Sequence, residues 1–348
     1  MSHIRRRSSQ CAGGRSAEAA GVYRATGGGT RKTSMLNTFD YPLLLEPINV
    51  PRPWGGGRVC KLYDRPCVES KEPIGETWDV STWPRDPGNP DLATVTKITN
   101  GPLAGMPLDR ITNVPVVVKL LDSAEKLSVQ IHPVSEDIHK DEMWYILYAE
   151  PGAYLFYDLQ DGVDRQAFCD LIKSPNPDEE KVLSMLKRAD NLKPGMHFNE
   201  PTGTVHAVGP GLVVFEVSEQ TQVTYRLFDY NRGRALHLEE GCKALMTARP
   251  NLPVLDAKLE VEADSTERLT EFPTFCVIKA TGETITIRSC SHRHLVTATM
   301  GDVYISGPTP EWNIKLKHSF TSLVPPVSRP YSINTQGSGE VLITTLKD

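Results

Sequence analysis

From Phe39 onward, short apolar runs alternate with Pro, Gly and Asn, the punctuation of a β protein. Residues 77–80 (TWDV), 92–98 (LATVTKI) and 114–121 (VPVVVKLL) have strand length and are bounded by turn formers. The pattern then breaks. Residues 163–172 (VDRQAFCDLI) and 178–189 (DEEKVLSMLKRA) space their apolar side chains at helical intervals, and Asp178, Glu179 and Glu180 suit a helix start. This predicts a small helical insertion around 163–189. Strands resume in GTVHAVG, GLVVFEVS and QVTYRLFDY, and again in FPTFCVIKA after a charged stretch near 250–270. Many short strands with turn signals predict a mainly β fold, a sandwich or barrel, for which cupin-type jelly-roll barrels, two of them, are one solution. A faint internal echo links residues 193–206 to 318–334, with Ser328 and Arg329 where the first copy carries ligand-type residues. The expected division is a first cupin domain with the helical insertion over 37–255, which holds the ligand-type residues, and a cupin-like domain without them over 256–348.

Composition narrows the picture. The 348 residues are 39% hydrophobic and 23% charged with a net charge of −5, ordinary for a globular protein and no footprint for nucleic acid. No apolar run approaches the length of a membrane span. In the first 34 residues seven basic side chains face Glu18 alone, a local charge of +6 that leaves −11 for the remainder. With frequent Gly and Ser, residues 1–36 read as a disordered basic tail. The seven cysteines form no CxxC pair, poor material for a disulfide framework or a thiolate zinc site, so a reducing, cytoplasmic setting is expected.

The chemistry lies in four side chains. Gln130 and His132 stand two apart in LSVQIHP, Glu142 opens the run EMWYIL, and His206 ends PTGTVH. In a strand alternate residues share a face, so Ser128, Gln130 and His132 point one way and Val129 and Ile131 the other. A glutamate opening a buried strand needs a partner, because an unpaired buried carboxylate is costly. A metal supplies one; a salt bridge to Lys140 is the alternative. The spacing Gly195-x5-Pro201-x-Gly203-x2-His206 is that of the second cupin motif. Two nitrogens and two oxygens suit Zn²⁺, with Mn²⁺, Fe²⁺ and Co²⁺ as further candidates.

At these residues the chain resembles the class I mannose-6-phosphate isomerases (phosphomannose isomerases) of the short bacterial type. The resemblance is carried by IGETWDVS (74–81), PVVVKLLDSAEKLSVQIHP (115–133), HKDEMWYIL (139–147), residues 201–232 and LHLEEGCKAL (236–245). It implies zinc-dependent interconversion of mannose 6-phosphate and fructose 6-phosphate through an enediol, on a cupin fold, with Gln130, His132, Glu142 and His206 as ligands. It further implies an active-site role for Arg226 and places Lys140 beside the metal. Glu216, inward by alternation with Val214, is a candidate base, and Ser128 and Lys126 are candidates for the phosphate. His237 and Glu239 read as supporting residues. The competing readings are a cupin isomerase for another sugar or sugar phosphate, and a non-catalytic sugar- or metal-binding cupin.

Overall fold

The computed structural model describes residues 39–67, 70–135 and 138–347. The basic tail expected over 1–36 lies outside the described residues. The fold is mainly β, as the patterning predicts, and has the curled sheets of a cupin.

Two sheets build the part that holds the site. The first runs His197–Glu200, Glu142–Ala149, Leu212–Glu219, Val116–Ser123, Ile74–Val80 and Ile48–Pro51. The second runs Leu186–Ala189, Leu155–Leu159, His206–Val208, Val129–Ile131 and Tyr225–Phe228. Period-two alternation sorts their side chains into layers. Leu121, Trp144, Ile146 and Val214 of the first sheet meet Leu155 and Val208 of the second in one buried cluster. The intervening Val118, Leu120, Val213, Phe215 and Val217 face outward into the largest core, shared with the C-terminal strands. Each such side chain, fully buried, contributes about 1.5–3 kcal/mol.

Behind the second sheet Val129, Ile131 and Leu227 pack on the helical layer through Phe168, Ile172 and Leu245. The insertion forms helices Arg165–Lys173 and Glu179–Ser184, capped by Asp164 and Asp178, whose carboxylates accept from the Gln166 and Lys181 backbone N–H groups. The end of the predicted helix 178–189 is corrected: Leu186–Ala189 is a strand, because pairing with Leu155–Leu159 outweighs its helical spacing. A further helix, Leu238–Met246, closes this layer.

The third sheet is mostly C-terminal. Its longest strands, Phe275–Cys290 and Tyr331–Leu346, pair along their length with a register shift between Gly282 and Thr284. Leu43–Glu46 and Lys97–Ile98, from the segment expected to form the first cupin domain, join this sheet beside Thr321–Val324. Arg65 ties the layers together: its buried guanidinium donates to Asp79, to Thr77 and to Ser319.

The expectation of unpaired cysteines is also corrected. Cys60–Cys67 and Cys169–Cys242 are disulfides, with Cα atoms 5.8 Å and 5.9 Å apart. The second joins helices Arg165–Lys173 and Leu238–Met246, a pairing made by tertiary packing and invisible in sequence spacing. Among the described residues no helix is long and apolar enough to cross a membrane.

Candidate metal and substrate site

The strand Val129–Ile131 and the turn into His206–Val208 deliver the histidines. Gly203 makes that turn with φ 82°, and a Cβ there would come within 2.8 Å of Val134. His206 pairs in register with Gln130, and Gln130 with Arg226 on the next strand. Three polar residues thus stand side by side across adjacent strands, while Val129 and Ile131 face the helices.

The hydrogen bonds fix the tautomers. His132 Nδ1 lies 2.9 Å from Val223 O and His206 Nδ1 lies 3.0 Å from Thr204 O. A carbonyl only accepts, so each Nδ1 carries the proton and each Nε2 is left with a bare lone pair. Those Nε2 atoms face Glu142, at 3.2 Å from Oε1 for His132 and 3.8 Å from Oε2 for His206. His132 Nε2 and Glu142 Oε2 are buried without a hydrogen-bond partner among the described residues. One ligand atom from each of His132, Glu142 and His206 fits within 4.8 Å of the others. The Gln130 amide lies 3.2 Å from His206 Nε2, and turning the amide over would present its oxygen there. Lone pairs crowded together underground repel unless a cation sits among them. These residues fit a divalent metal.

The electrostatics agree. Burial alone would raise the Glu142 carboxyl, but Lys140 and the imidazoles outweigh it and hold it well below the ordinary value. Burial pushes the His206 imidazole down to about 3, keeping it neutral. Glu200, opposite Glu142 in register, is buried with neither carboxylate oxygen hydrogen-bonded. Burial, then the charges of Glu142 and Asp158, hold its carboxyl well above the usual range.

Lys140 and Glu142 are 2.6 Å apart, so the salt bridge weighed from sequence exists alongside the ligand cluster. The Lys140 loop is fixed by its own N–H to Thr202 Oγ1 (2.7 Å) and by Thr202 N–H to Asp141 Oδ1 (2.8 Å). Although burial opposes it, Glu142 and Glu216 raise the Lys140 ammonium above its ordinary value.

A cavity of about 1050 Å³ opens over this cluster. Ser128, Gln130, Lys140, Glu142, Glu216 and Arg226 all line it. Glu216 accepts from Trp144 Nε1 (3.3 Å) and Ser218 Oγ (3.0 Å) and lies 3.7 Å from Lys119. Arg226 has no carboxylate partner among the described residues. Its Nη1 donates to Ala235 O and its Nε is buried and unpartnered, while Asp229 is taken by Arg232 and Arg234. Burial and the neighbouring Arg234 lower the Arg226 guanidinium from its ordinary value.

Lys126 does not line the cavity. Its ammonium pairs with Glu179 and sits 4.0 Å over the Tyr230 ring. The cations that do reach the wall include three that sequence reasoning missed: Arg52, Lys119 and Arg234. Lys119 left a signal, a lone ammonium inside VVVKLL on the same face as Leu121. It is buried over the Trp78 ring, 4.6 Å away. Arg52, clasped by Glu76 (3.0 Å) and Asp86 (2.8 Å), left none, because its partners are distant in sequence.

Comparison with known proteins agrees with this geometry. The family described as phosphomannose isomerase type I, catalytic domain, matches residues 45–151. A mannose-6-phosphate isomerase of Streptococcus mutans is 29% identical over 266 residues, 68% of this chain and 78% of that protein. A Bacillus subtilis protein described as a probable mannose-6-phosphate isomerase is 31% identical over 232 residues, 59% of this chain and 68% of its own length. In fold, the chain resembles the crystal structure of the mannose 6-phosphate isomerase from Bacillus subtilis. There the TM-score is 0.70 at 20% identity, covering 88% of this chain and all of that one. A mutant phosphomannose isomerase from Salmonella typhimurium gives a TM-score of 0.62 at 13% identity, with 88% and 100% coverage. Sequence, fold and the cluster of unspent ligand atoms converge: this chain is an isomerase of the class I phosphomannose isomerase family.

Proposed function

We propose that the protein interconverts mannose 6-phosphate and fructose 6-phosphate by moving a proton between C1 and C2 through an enediol. Gln130, His132, Glu142 and His206 hold a divalent cation, Zn²⁺ by preference for this donor set. The bound metal would supply Lewis acidity toward the sugar's oxygens. The protein's own groups do the rest. Arg226, permanently charged and without a carboxylate partner among the described residues, stabilises negative charge as it develops on the substrate. Lys140, an ammonium paired with Glu142 and lining the same cavity as Glu216, adds positive charge at the same wall. Glu216, held by Trp144 and Ser218, is the base we favour for the proton transfer. The phosphate dianion falls to Ser128 with Arg234, replacing the Lys126 expected from sequence.

We treat residues 37–255 as the catalytic unit and 256–348 as the unit without ligands, with two strands of the former completing the latter's sheet. A phosphorylated substrate favours a cytoplasmic setting, since a dianion does not cross a bilayer unaided; the cysteines no longer argue for it.

The observation that carries this reading is the meeting, in one cavity, of buried unspent lone pairs and an arginine without an acidic partner. The test is a coupled assay with mannose 6-phosphate before and after chelation, with metal content measured. Turnover that vanishes on chelation and returns with Zn²⁺ is expected. Full turnover without metal would sink the metal's role. No turnover by metal-replete protein would favour another sugar or a binding function.

A further inference from the structure

Tyr225–Phe228 ends its sheet: one edge pairs with Val129–Ile131, and among the described residues no strand pairs with the other. Segment 235–237 takes that strand's place. His237 N–H donates to Arg226 O at 2.9 Å, and Arg226 N–H donates to His237 Nδ1 at 3.2 Å. The imidazole nitrogen thus stands where an incoming strand would bring its carbonyl oxygen. The same segment reaches the guanidinium, whose Nη1 donates to Ala235 O at 2.7 Å. Because Nδ1 accepts, the ring is neutral with its proton on Nε2.

Two further features make this contact matter. The register between the strands shifts between Arg226 and Phe228, and such irregularities re-aim a side chain. The backbone at Arg226 therefore needs an outside hold to keep one direction. That hold is itself rigid, since His237 directly precedes the helix Leu238–Met246. Gly241 of this helix lies so close to Leu227 that a Cβ would collide with it, and Cys242 and Leu245 are buried in the same cluster. His237 also lines the cavity alongside Arg226.

We propose that His237 is a positioning residue for Arg226. Its ring closes the free edge of the strand, fixes the Arg226 backbone across the irregularity and so aims the guanidinium at the substrate. This rests on the reading of Arg226 given above.

The test compares His237→Leu, which lacks the acceptor, with His237→Asn, whose amide oxygen can take the Arg226 N–H. Each is made in the full metal-loaded chain and again in an Arg226→Ala background. The Leu variant is expected to lose about 10- to 100-fold in kcat with KM changed by less than about 3-fold, since small misplacements of a catalytic group cost that much. The Asn variant should recover to within about 5-fold of the parent. In the Arg226→Ala background, His237→Leu should cost nothing more, whereas a purely structural role would add its loss. Should the Leu variant not fold, His237→Phe keeps the ring's volume without the acceptor and carries the same expectation. Parent-like kcat in the Leu or Phe variant, no rescue by Asn, or additive losses would each overturn the proposal. If Arg226→Ala itself turns over normally, the role given to Arg226 fails first, and this inference with it.

Discussion

His206 and His294 are equally hidden, at 1% and 0% exposure, and burial depresses both imidazoles, to about 3 and about 4. Their surroundings differ. In the C-terminal sheet His294 has both nitrogens engaged: Nε2 with Tyr331 OH at 2.7 Å and Nδ1 near His292 O at 3.3 Å, with the Tyr331 ring stacked on it. Glu340, buried further along the same sheet, accepts from Tyr145 and Thr299. Around His206 the inventory does not close, for Glu142 Oε2, His132 Nε2 and both oxygens of Glu200 lack partners among the described residues. In one interior the imidazole and the carboxylate have partners and, among the described residues, only the hydroxyls of Thr344 and Thr345 lack them; in the other, carboxylate and imidazole atoms are left over. Burial alone does not make a histidine a ligand; an unprotonated nitrogen turned toward the carboxylate and the second imidazole of a ligand-type cluster does.

The sharpest way to break this comparison is to remove each histidine. His206→Ala should lose its metal and, with it, turnover by on the order of 10³-fold. His294→Gln should keep both. Metal content and initial rates on the two variants check this, and a metal-replete His206→Ala protein would remove the basis for the assigned site.

The contrast also shows what the sequence could reveal. Gln130, His132 and Glu216 were legible because strand alternation fixes a face once the strand is recognised. His206 was legible because Gly203 and Pro201 encode its turn. Lys126 was misread for the converse reason: it precedes the strand, where alternation gives no direction, and Tyr230 and Glu179 draw it away. Leu186–Ala189 follows a helical spacing, yet partner strand Leu155–Leu159 decides its structure. Arg52, Arg234, the hold of His237 on Arg226 and the Cys169–Cys242 pair depend on contacts that no local pattern encodes.

A smaller loss, confined to chemistry, is expected from Arg226→Ala. Arg226 touches none of the three clustered ligands through a hydrogen bond among the described residues, so metal content should stay at parent level. Loss of a fixed charge facing the substrate should lower kcat by about 10²- to 10³-fold. Metal loss equal to that of His206→Ala would mean the arginine supports the cluster rather than the substrate.

The smallest effect concerns stability, and it sharpens the meaning of a satisfied histidine. Burial lowers the folded-state value of His294 to about 4, below the 6.5 of a free imidazole. Between those values the unfolded chain binds more protons than the folded one, so stability falls as pH falls. The contribution is fully present above pH 6.5 and is lost as pH drops toward 4, amounting to about 3 kcal/mol at most. His294→Gln keeps a hydrogen-bonding group for Tyr331 and does not titrate. At pH 7 and above it should be less stable than the parent by about 1 kcal/mol, the cost of an imperfectly replaced buried hydrogen bond. Below about pH 5 it should be the more stable of the two. Urea unfolding across pH 4–8 measures both curves, and their difference isolates this residue from the other histidines. Curves that run parallel throughout would mean His294 already takes up its proton in the folded protein, making its surroundings far less closed than the hydrogen bonds to Tyr331 and His292 imply.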